Sequence, residues 1–571
     1  MKKAVHTLLG LGIILNLNCC NTERNSESQT IAADPVSITK GKLIFTQYCS
    51  SCHVFNYDAI GPKLGGITDS VSVQWIKKFV TNPKQMIDAA DPRSTSLFKK
   101  YKTVMPPFAG LKDTVFNDLI SFIHTKKARI LSSMYADRVE IKNPIADIIA
   151  VADLVVDLKL ITQFPASNAN GEAPLARITK LDYEPHSGET FVLDMNGKLY
   201  RLEGDHPEVY MDMSGLRIKF INQPGLGSGF GSFAFHPEFY KNGLIYTTHT
   251  EPAGTQPADF TYEDTIESTL QFVVMEWKAS DPNLKKFEGT GRELFRIDMV
   301  SRAHGLQEIA FNPRAKPGSE DYGKLYITVG DGGAVENGYA LLTHHINRAW
   351  GTLFRIDPMG TNSKNGKYGI PSSNPFYGND HALGEIYAYG FRNPHRITWS
   401  SSGQLLVSNI GHGDIEALDI IKPGHDYGWP VMEGKYLLDP YGDLTKIYPT
   451  NATDTIQNHI TFPAVQYDHD EGKAISGGYE YTGSIPGLKG KFLFGDIPLG
   501  TLYFVNANDI NIDHPATVKE WRVSFNGAIT TLKTLCGNDR VDLHFGRDAH
   551  GEIYILTKAD GKLYRLSGIT K

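Results

Sequence analysis

The pattern of apolar positions changes once along the chain. In the first part, apolar residues recur at helical spacing: a helix is predicted over 113–126, with one apolar face at Val115, Leu119 and Phe122. This spacing predicts a small all-α domain over residues 38–128.

From about residue 155, apolar and polar residues alternate in short runs that follow turns of Asp, Asn and Gly. These turn-and-strand units recur with no long helical pattern, as at 195–200, 323–326, 403–406, 551–554 and 560–564. Radial repetition of four-stranded sheets accommodates such units, so residues 155–568 are predicted to form an all-β propeller, with 129–154 as a linker. The near-identical runs 197–202 and 561–566 indicate that the first and last blades are related.

The first 20 residues have the pattern of an export signal. Two lysines precede the apolar stretch 5–17, which is too short to span a bilayer. Leu17 precedes Cys20 by three residues, as in a lipoprotein signal, and either Cys19 or Cys20 is the acylated residue. We expect a lipid-anchored protein on the periplasmic side of a bacterial cell envelope, with 21–37 as a flexible tether. A plain cleaved signal peptide is the alternative.

Length and composition bear on the number of domains and on the charge of the protein. A chain of 571 residues, 41% of them apolar and 21% charged, calls for more than one globular domain. The net charge of −6 argues against a nucleic-acid partner. Residues 33–128 carry 13 basic and 7 acidic residues, whereas 129–571 carry 41 and 54. These opposite charges favour docking of the two predicted domains, although acidic surfaces also serve solubility.

The sharpest motif is C-S-S-C-H, from Cys49 to His53. Two thiols three residues apart, after a short predicted helix over 41–48, can form thioethers to a haem, and His53 then becomes an axial ligand. A redox-active cysteine pair would follow a buried strand, and a zinc site would need a second ligand pair, which the sequence lacks. The motif therefore predicts covalently attached haem c.

A sixth iron ligand is predicted at Met105, 52 residues after His53 (105 − 53). Pro106 and Pro107 stiffen the loop that presents its thioether. Met86, in a run with helical spacing, is the alternative. In order, spacing and length, residues 38–127 resemble a class I cytochrome c. The resemblance implies electron transfer rather than substrate chemistry, because His/Met ligation leaves no open position on the iron.

The predicted propeller contains an ordered set of motifs, among them G-F-R-N-P at 390–394 and D-Y-G-W-P at 426–430. The others lie at 231–239, 304–305, 323–331, 351–357, 374–376 and 476–478. This set resembles the glucose/sorbosone dehydrogenase family over 158–567. The resemblance implies a six-bladed propeller that binds pyrroloquinoline quinone (PQQ) and calcium and oxidises a sugar.

The resemblance also assigns individual residues. It implies His304 as the catalytic base, Arg392 and Asn393 as contacts to the quinone oxygens, Arg540 as a further PQQ ligand, and the backbone of Gly411 and His412 as calcium ligands. A histidine of near-neutral pKa is a natural base for oxidising an alcohol, and a cation beside the quinone stabilises the charge that arrives with hydride.

Several positions depart from the family pattern. Gly227 and Ile410 stand where the family has glutamines, and the cofactor lysine of the family has no clear counterpart around Lys489 and Lys491. The segment 538–542 keeps one of two expected arginines. Because PQQ is a tricarboxylate, fewer cations should weaken its binding.

Together these features predict a periplasmic quinoprotein dehydrogenase that oxidises a sugar or related alcohol with PQQ. Its electrons would pass to the fused haem, one at a time, and on to an acceptor of the respiratory chain. The alternative is a non-enzymatic propeller that binds carbohydrate or protein and is tethered to an electron-transfer cytochrome c, because a fold does not specify a function.

Overall fold

The computed structural model describes residues 31–570, except for 32–33, 51, 60, 102–103, 128–131, 169–170, 172, 224–226, 264, 452–453 and 455–458. The predicted leader, with Cys19 and Cys20, lies outside the described residues. Within the described ranges, no helix is both long and apolar enough to cross a bilayer.

The N-terminal domain is helical. Its helices are α1 (Pro35–Tyr48), α2 (Ile67–Ser70), α3 (Val73–Thr81), α4 (Pro83–Asp88), α5 (Pro92–Tyr101) and α6 (Asp113–His124). Helix α1 begins after Asp34, whose carboxylate accepts a hydrogen bond from the Ser37 N–H at 2.9 Å. Helices α1 and α6 touch at Gly41, where a Cβ would stand 1.9 Å from the Asp118 carbonyl oxygen.

The core of this domain lies between α1 and α6. Phe45 and Phe122 are buried there, with their ring centroids 5.5 Å apart. The predicted apolar face of α6 is confirmed at Leu119 and Phe122, whereas Val115 is only half-buried because Phe116 takes the inward position.

Strands make up most of the remaining chain. They are β1 (Ala150–Gln163), β2 (Ile178–Tyr183), β3 (Thr190–Asp194), β4 (Lys198–Glu203), β5 (His206–Asp212), β6 (Phe230–Phe235), β7 (Leu244–Pro252), β8 (Leu270–Ala279), β9 (Gly289–Met299), β10 (Ile309–Phe311), β11 (Leu325–Val329), β12 (Thr352–Ile356), β13 (Ile386–Tyr389), β14 (Asn393–Trp399), β15 (Leu405–Ile410), β16 (Ile415–Ile420), β17 (Met432–Glu433), β18 (Tyr436–Leu438), β19 (Ile447–Tyr448), β20 (Val465–Asp468), β21 (Tyr479–Glu480), β22 (Lys491–Gly495), β23 (Leu502–Asn506), β24 (Lys519–Phe525), β25 (Ala528–Thr530), β26 (Leu543–Arg547), β27 (Ile553–Thr557) and β28 (Lys562–Ile569). Short helices α7 (Met213–Leu216), α8 (Phe239–Asn242) and α9 (Leu532–Cys536) lie between them.

The strands form antiparallel sheets in chain order. Strands β2–β5, β6–β9 and β10–β13 each form a four-stranded sheet, β14–β16 with β20 form another, and β17–β19 form a small one. Strands β21–β28 and β1 form a nine-stranded sheet, which β1 joins by pairing with β24 in parallel and with β28 antiparallel. The first strand of the domain is thus held among the last ones.

Apolar cores lie between successive sheets and close a ring. One core joins the β2–β5 sheet to the β6–β9 sheet, and a second joins the β6–β9 sheet to the β10–β13 sheet. Further cores join β10–β13 to β14–β16, β14–β16 to β21–β23, and β21–β23 to β26–β28. The last core lies between β26–β28 and β2–β4. The two-domain architecture predicted from the sequence, helices and then a propeller, is confirmed. The number of six blades stays a prediction, because the nine-stranded sheet is continuous across β24 and β1. The similar runs 197–202 and 561–566 include β4 and β28, each the third strand of its unit.

The segment predicted as a linker, 129–154, packs against the propeller. Ile141 pairs with Ile447 of β19, and the Arg138 guanidinium donates two 2.7 Å hydrogen bonds to the Asp454 carboxylate. Strand β1 already begins at Ala150.

The helical domain is seated on the propeller. Val54 and Tyr57 of the helical domain are buried in an apolar cluster, the rim cluster, which also contains Val335, Ala340, Ile415, Trp429, Tyr436, Leu438, Leu444 and Ile447. At the edge of the contact, Arg302 donates to the Thr46 carbonyl at 3.1 Å and Lys42 pairs with Glu267 at 2.6 Å.

Candidate functional site

The C-S-S-C-H motif follows directly on the end of α1. The His53 Nδ1 lies 2.8 Å from the Pro62 carbonyl oxygen, which only accepts, so Nδ1 carries the proton and the Nε2 lone pair stays free for iron. Burial lowers the pKa of His53, which favours the neutral ligand form. The Gly61 backbone lies against this ring, since a Cβ there would stand 2.4 Å from Cε1.

The thiols of Cys49 and Cys52 are free and half-buried, and their surroundings suppress ionisation. Burial raises the pKa of Cys49 to about 12 and raises that of Cys52 as well. A redox-active thiol pair needs the opposite, a lowered pKa. Cys49, Cys52 and His53 therefore fit a covalently attached haem better than a redox pair.

Met105 lies between α5 and α6 and is half-buried. Its segment is tied to α3 by the Phe108 N–H, which donates to the Val80 carbonyl at 3.0 Å. Met86 lies within α4, as its spacing predicts. The assignment of Met105 as the sixth iron ligand stays a prediction.

In the propeller, His304 is held by Asp331. The His304 Nδ1 lies 2.6 Å from Oδ1 of the fully buried Asp331, so Nε2 is the nitrogen free to take a proton. Asp331 also accepts hydrogen bonds from the Trp429 indole N–H at 2.9 Å and the Gly333 N–H at 2.8 Å. A carboxylate oriented from three sides fixes the tautomer of the imidazole and supports it when it gains a proton.

Arg392 forms a buried ion pair with Glu336. Its Nε and Nη2 donate to the same Glu336 oxygen at 3.0 and 2.6 Å, and the guanidinium lies 5.6 Å from the centre of the Trp429 ring. Burial alone would raise the pKa of Glu336, but Arg392 and the neighbouring His412 hold it well below the ordinary value. The pair is therefore ionised on both sides at neutral pH.

The loop predicted to bind calcium is engaged by protein groups. Arg392 Nη1 donates to the Gly411 carbonyl at 2.5 Å, and the His412 N–H donates to Glu433 at 2.8 Å. His304, Asp331 and Glu336 place ligand atoms within 4.8 Å of one another, yet Glu336 already faces the guanidinium. As placed, these residues do not fit a calcium ion.

Asn393 begins β14 beside Arg392. Its backbone N–H donates to the Asn409 side chain at 3.1 Å, while its own side-chain oxygen is buried without a hydrogen-bond partner among the described residues. Buried polar atoms are nearly always paired, so this oxygen fits a position that faces a ligand.

A cationic cluster lies at the ends of β26 and β27, and its member Lys558 interacts electrostatically with His395, as does the candidate base His304. Arg540 pairs with Asp542 at 2.8 Å, and backbone hydrogen bonds connect Lys558 with Asp542 at 3.3 Å and with Ala176 at 3.4 Å. Burial lowers the pKa of Lys558 to about 8, with the charges of Arg177 and Arg540 adding to the effect and Asp542 opposing it. Arg177, Arg540 and Lys558 all interact with Asp542, and the buried Asp194 and Asp496 also interact with the two arginines; the three basic side chains are the groups that a multiply charged anion such as PQQ would need.

Lys558 is a lysine that the structure places in this cluster. Lys489 is exposed and Lys491 lies over Phe504 at 4.9 Å on the outer part of the sheet. Lys558 and Arg177 carried no family signature and were missed, as was Glu336. Asp331 lies at the end of the 323–331 motif, and its place in that motif is the sequence signal that could have indicated its role.

The haem motif and the propeller site meet at the contact between the domains. The Arg540 charge and the half-buried Cys52 thiol interact electrostatically. Tyr57 places its ring edge-on to the His412 imidazole, with the ring centres 6.2 Å apart. The structure thus brings together His304, Arg392, Asn393, Gly411 and His412 in the propeller, and sets them beside the segment that carries the predicted iron ligand His53.

Comparison with known proteins agrees with this geometry. A cytochrome c family model matches residues 38–127, and a glucose/sorbosone dehydrogenase family model matches residues 177–565. HIPL2 protein of Arabidopsis thaliana is 28% identical over 342 residues, which cover 52% of this chain and 45% of that protein. Quinoprotein glucose dehydrogenase B of Acinetobacter calcoaceticus is 24% identical over 299 residues, 48% of this chain and 53% of that protein.

The chain thus spans about half the length of the curated relatives it matches. A solved glucose dehydrogenase structure superposes with a TM-score of 0.50 at 17% identity, over 72% of this chain and 98% of that one, which shows a shared fold. The N-terminal domain is a cytochrome c domain, which implies haem c, and the chain belongs to the glucose/sorbosone dehydrogenase family.

Proposed function

We propose that this protein is a periplasmic quinoprotein dehydrogenase that oxidises a sugar or related alcohol with PQQ and passes the electrons to its own haem c. One observation carries the proposal: the segment that follows the iron ligand His53 packs on Trp429, whose indole N–H supports Asp331 behind the candidate base His304. An electron acceptor seated against an oxidising site is the arrangement such a reaction needs.

The residues of the propeller have distinct parts in this proposal. His304 takes the proton of the substrate hydroxyl at Nε2, and Asp331 stabilises the imidazolium that results. Arg392 and the side-chain amide N–H of Asn393 would donate to the quinone oxygens, while Arg540 and Lys558 would hold the quinone carboxylates. When bound, PQQ supplies the two-electron acceptor.

Glu336 has a positioning part. Because it pairs with Arg392 through two donors, it fixes the plane of the guanidinium, whose Nη1 is held from the other side by the Gly411 carbonyl. The buried pair is neutral overall, so the cations available to a bound anion are Arg540, Lys558 and Arg177.

The cytochrome c domain supplies a one-electron carrier. The net charges of residues 33–128 (13 − 7 = +6) and 129–571 (41 − 54 = −13) are opposite in sign, which supports stable docking of the helical domain on the propeller. The predicted leader supports a place in the cell envelope, where a lipid anchor would hold the protein near an acceptor of the respiratory chain.

The test uses the full chain, matured with covalent haem. PQQ is added with and without calcium, a panel of aldoses and alcohols follows, and haem reduction is monitored by its absorbance. We expect substrate-dependent reduction only after PQQ loading. If the protein binds no PQQ at any calcium concentration, the proposal fails and a non-enzymatic binding propeller takes its place.

A further inference from the structure

Tyr57 belongs to the cytochrome c domain and yet lies in the wall of the propeller site. It follows His53 by four residues (57 − 53) and is 9% exposed. Its ring packs with Val335 and Trp429 in the rim cluster and edge-on to His412. A side chain close in sequence to the iron ligand is therefore part of the dehydrogenase site.

The hydroxyl of Tyr57 is buried without a hydrogen-bond partner among the described residues. Leaving a buried hydroxyl unpaired is unfavourable, so its position points to a ligand. Burial raises the pKa of Tyr57 above its ordinary value; Glu336 adds to this and Arg392 opposes it. The phenol therefore keeps its proton at physiological pH and is available as a donor.

Two further unpaired polar atoms lie in the same site. Glu336 Oε2 and Asn393 Oδ1 are buried and have no partner within the described part of the chain. Glu336 and Arg392 both interact electrostatically with the Tyr57 phenol, as does Asp331. The site thus offers a free donor at Tyr57 and free acceptors at Glu336 and Asn393, groups that match neighbouring hydroxyls of a sugar, each of which donates and accepts.

We propose that the Tyr57 hydroxyl donates a hydrogen bond to a hydroxyl oxygen of the polyol substrate, so that the cytochrome c domain completes the substrate site. This inference rests on the proposed function and adds a substrate-contacting residue to it. It also makes the haem domain a determinant of substrate affinity as well as an electron acceptor.

The test compares Tyr57→Phe with the parent in the full-length, haem-loaded protein. Phenylalanine keeps the ring packing and removes only the donor. We expect KM for the sugar to rise roughly two- to tenfold, the range for one lost hydrogen bond, with little change in kcat. PQQ affinity, followed by tryptophan fluorescence, and the haem potential should not change.

Tyr436→Phe is the matched control. Tyr436 lies in the same rim cluster, but its hydroxyl donates to the Pro144 carbonyl at 2.5 Å, so its loss should leave KM unchanged. An unchanged KM in Tyr57→Phe, or an effect confined to PQQ affinity, would overturn the inference while the parent still reduces its haem. A parent that neither binds PQQ nor oxidises a sugar would instead refute the proposed function.

Discussion

The indole N–H of Trp429 donates to Oδ2 of Asp331 at 2.9 Å. The other oxygen of this carboxylate faces His304 Nδ1 at 2.6 Å, and the Trp429 ring packs in the rim cluster with Val54 and Tyr57. One side chain therefore connects the support of the candidate base with the surface on which the cytochrome c domain rests. Disrupting this contact between the domains should impair both electron transfer and the orientation of His304.

Replacing His304 with Ala should slow substrate-driven haem reduction on the order of a hundredfold or more, because the proton acceptor is lost. Direct reduction by dithionite should be unchanged, which separates loss of the base from damage to the haem. His206→Ala, at an exposed position, is the control. Parental turnover of His304→Ala at saturating PQQ would place the base elsewhere.

Asp331→Asn should also lower kcat, on the order of a hundredfold. A carboxylate accepts from His304, Trp429 and Gly333 through two oxygens, whereas an amide has one acceptor oxygen and presents a donor in the other position. At least one of the three donors must lose its partner, and when the amide nitrogen faces Nδ1 the imidazole adopts the other tautomer. The pH profile of substrate-driven haem reduction is the measurement; a profile and rate equal to those of the parent would remove Asp331 from the mechanism.

Cys52→Ala should abolish stable incorporation of covalent haem, because only the Cys49 thioether could still form. Absorbance of the denatured protein in alkaline pyridine reports the number of thioether links. Cys536→Ala, far from the motif in sequence, should retain normal haem. A fully covalent, spectrally unchanged haem in Cys52→Ala would refute the attachment site.

Met105→Ala should remove the weak charge-transfer band of sulfur-ligated ferric haem and open the iron to added ligands, since the thioether is lost. Met86→Ala, in α4, should keep that band. The reverse outcome would move the sixth ligand from the Pro-flanked loop to α4.

Asp419 gives a prediction for stability and pH. Burial raises its pKa to about 8 from 3.8, so between these pH values the folded protein binds more protons than the unfolded chain and loses stability as pH rises. Asp419→Asn cannot ionise and should raise stability at pH 8 by on the order of a few kcal/mol, with little effect near pH 4. Thermal unfolding at both pH values is the measurement. The exposed Asp513→Asn should change the melting temperature little at either pH, and an equal gain for Asp419→Asn at both would contradict the titration.

Much of this protein was readable from local sequence. The haem motif consists of five adjacent residues, so it can be recognised in the sequence. The alternation of apolar and polar residues after Gly turns likewise predicts strands without knowledge of distant contacts. Contiguous motifs likewise marked His304, Arg392 and Asn393, because a family preserves such segments as units. Strand β1 begins at Ala150, before the predicted boundary at 155, because Ala150 and Val151 pair with β24, a tertiary contact that these exposed positions do not reveal in the sequence.

The contacts between distant segments were decided by the tertiary structure. Glu336 pairs with Arg392, which is 56 residues away in sequence. Lys558, at the end of β27, interacts electrostatically with Arg540, near the start of β26. Tyr57 of the helical domain packs in the same cluster as Trp429 of the propeller. The period of apolar residues predicts which face of a helix or strand is buried, but it does not predict which other element packs against that face. That choice depends on how β1 closes the ring against β28 and on which surface of the ring the cytochrome c domain occupies, and both are set by the summed packing of the whole chain rather than by any single segment.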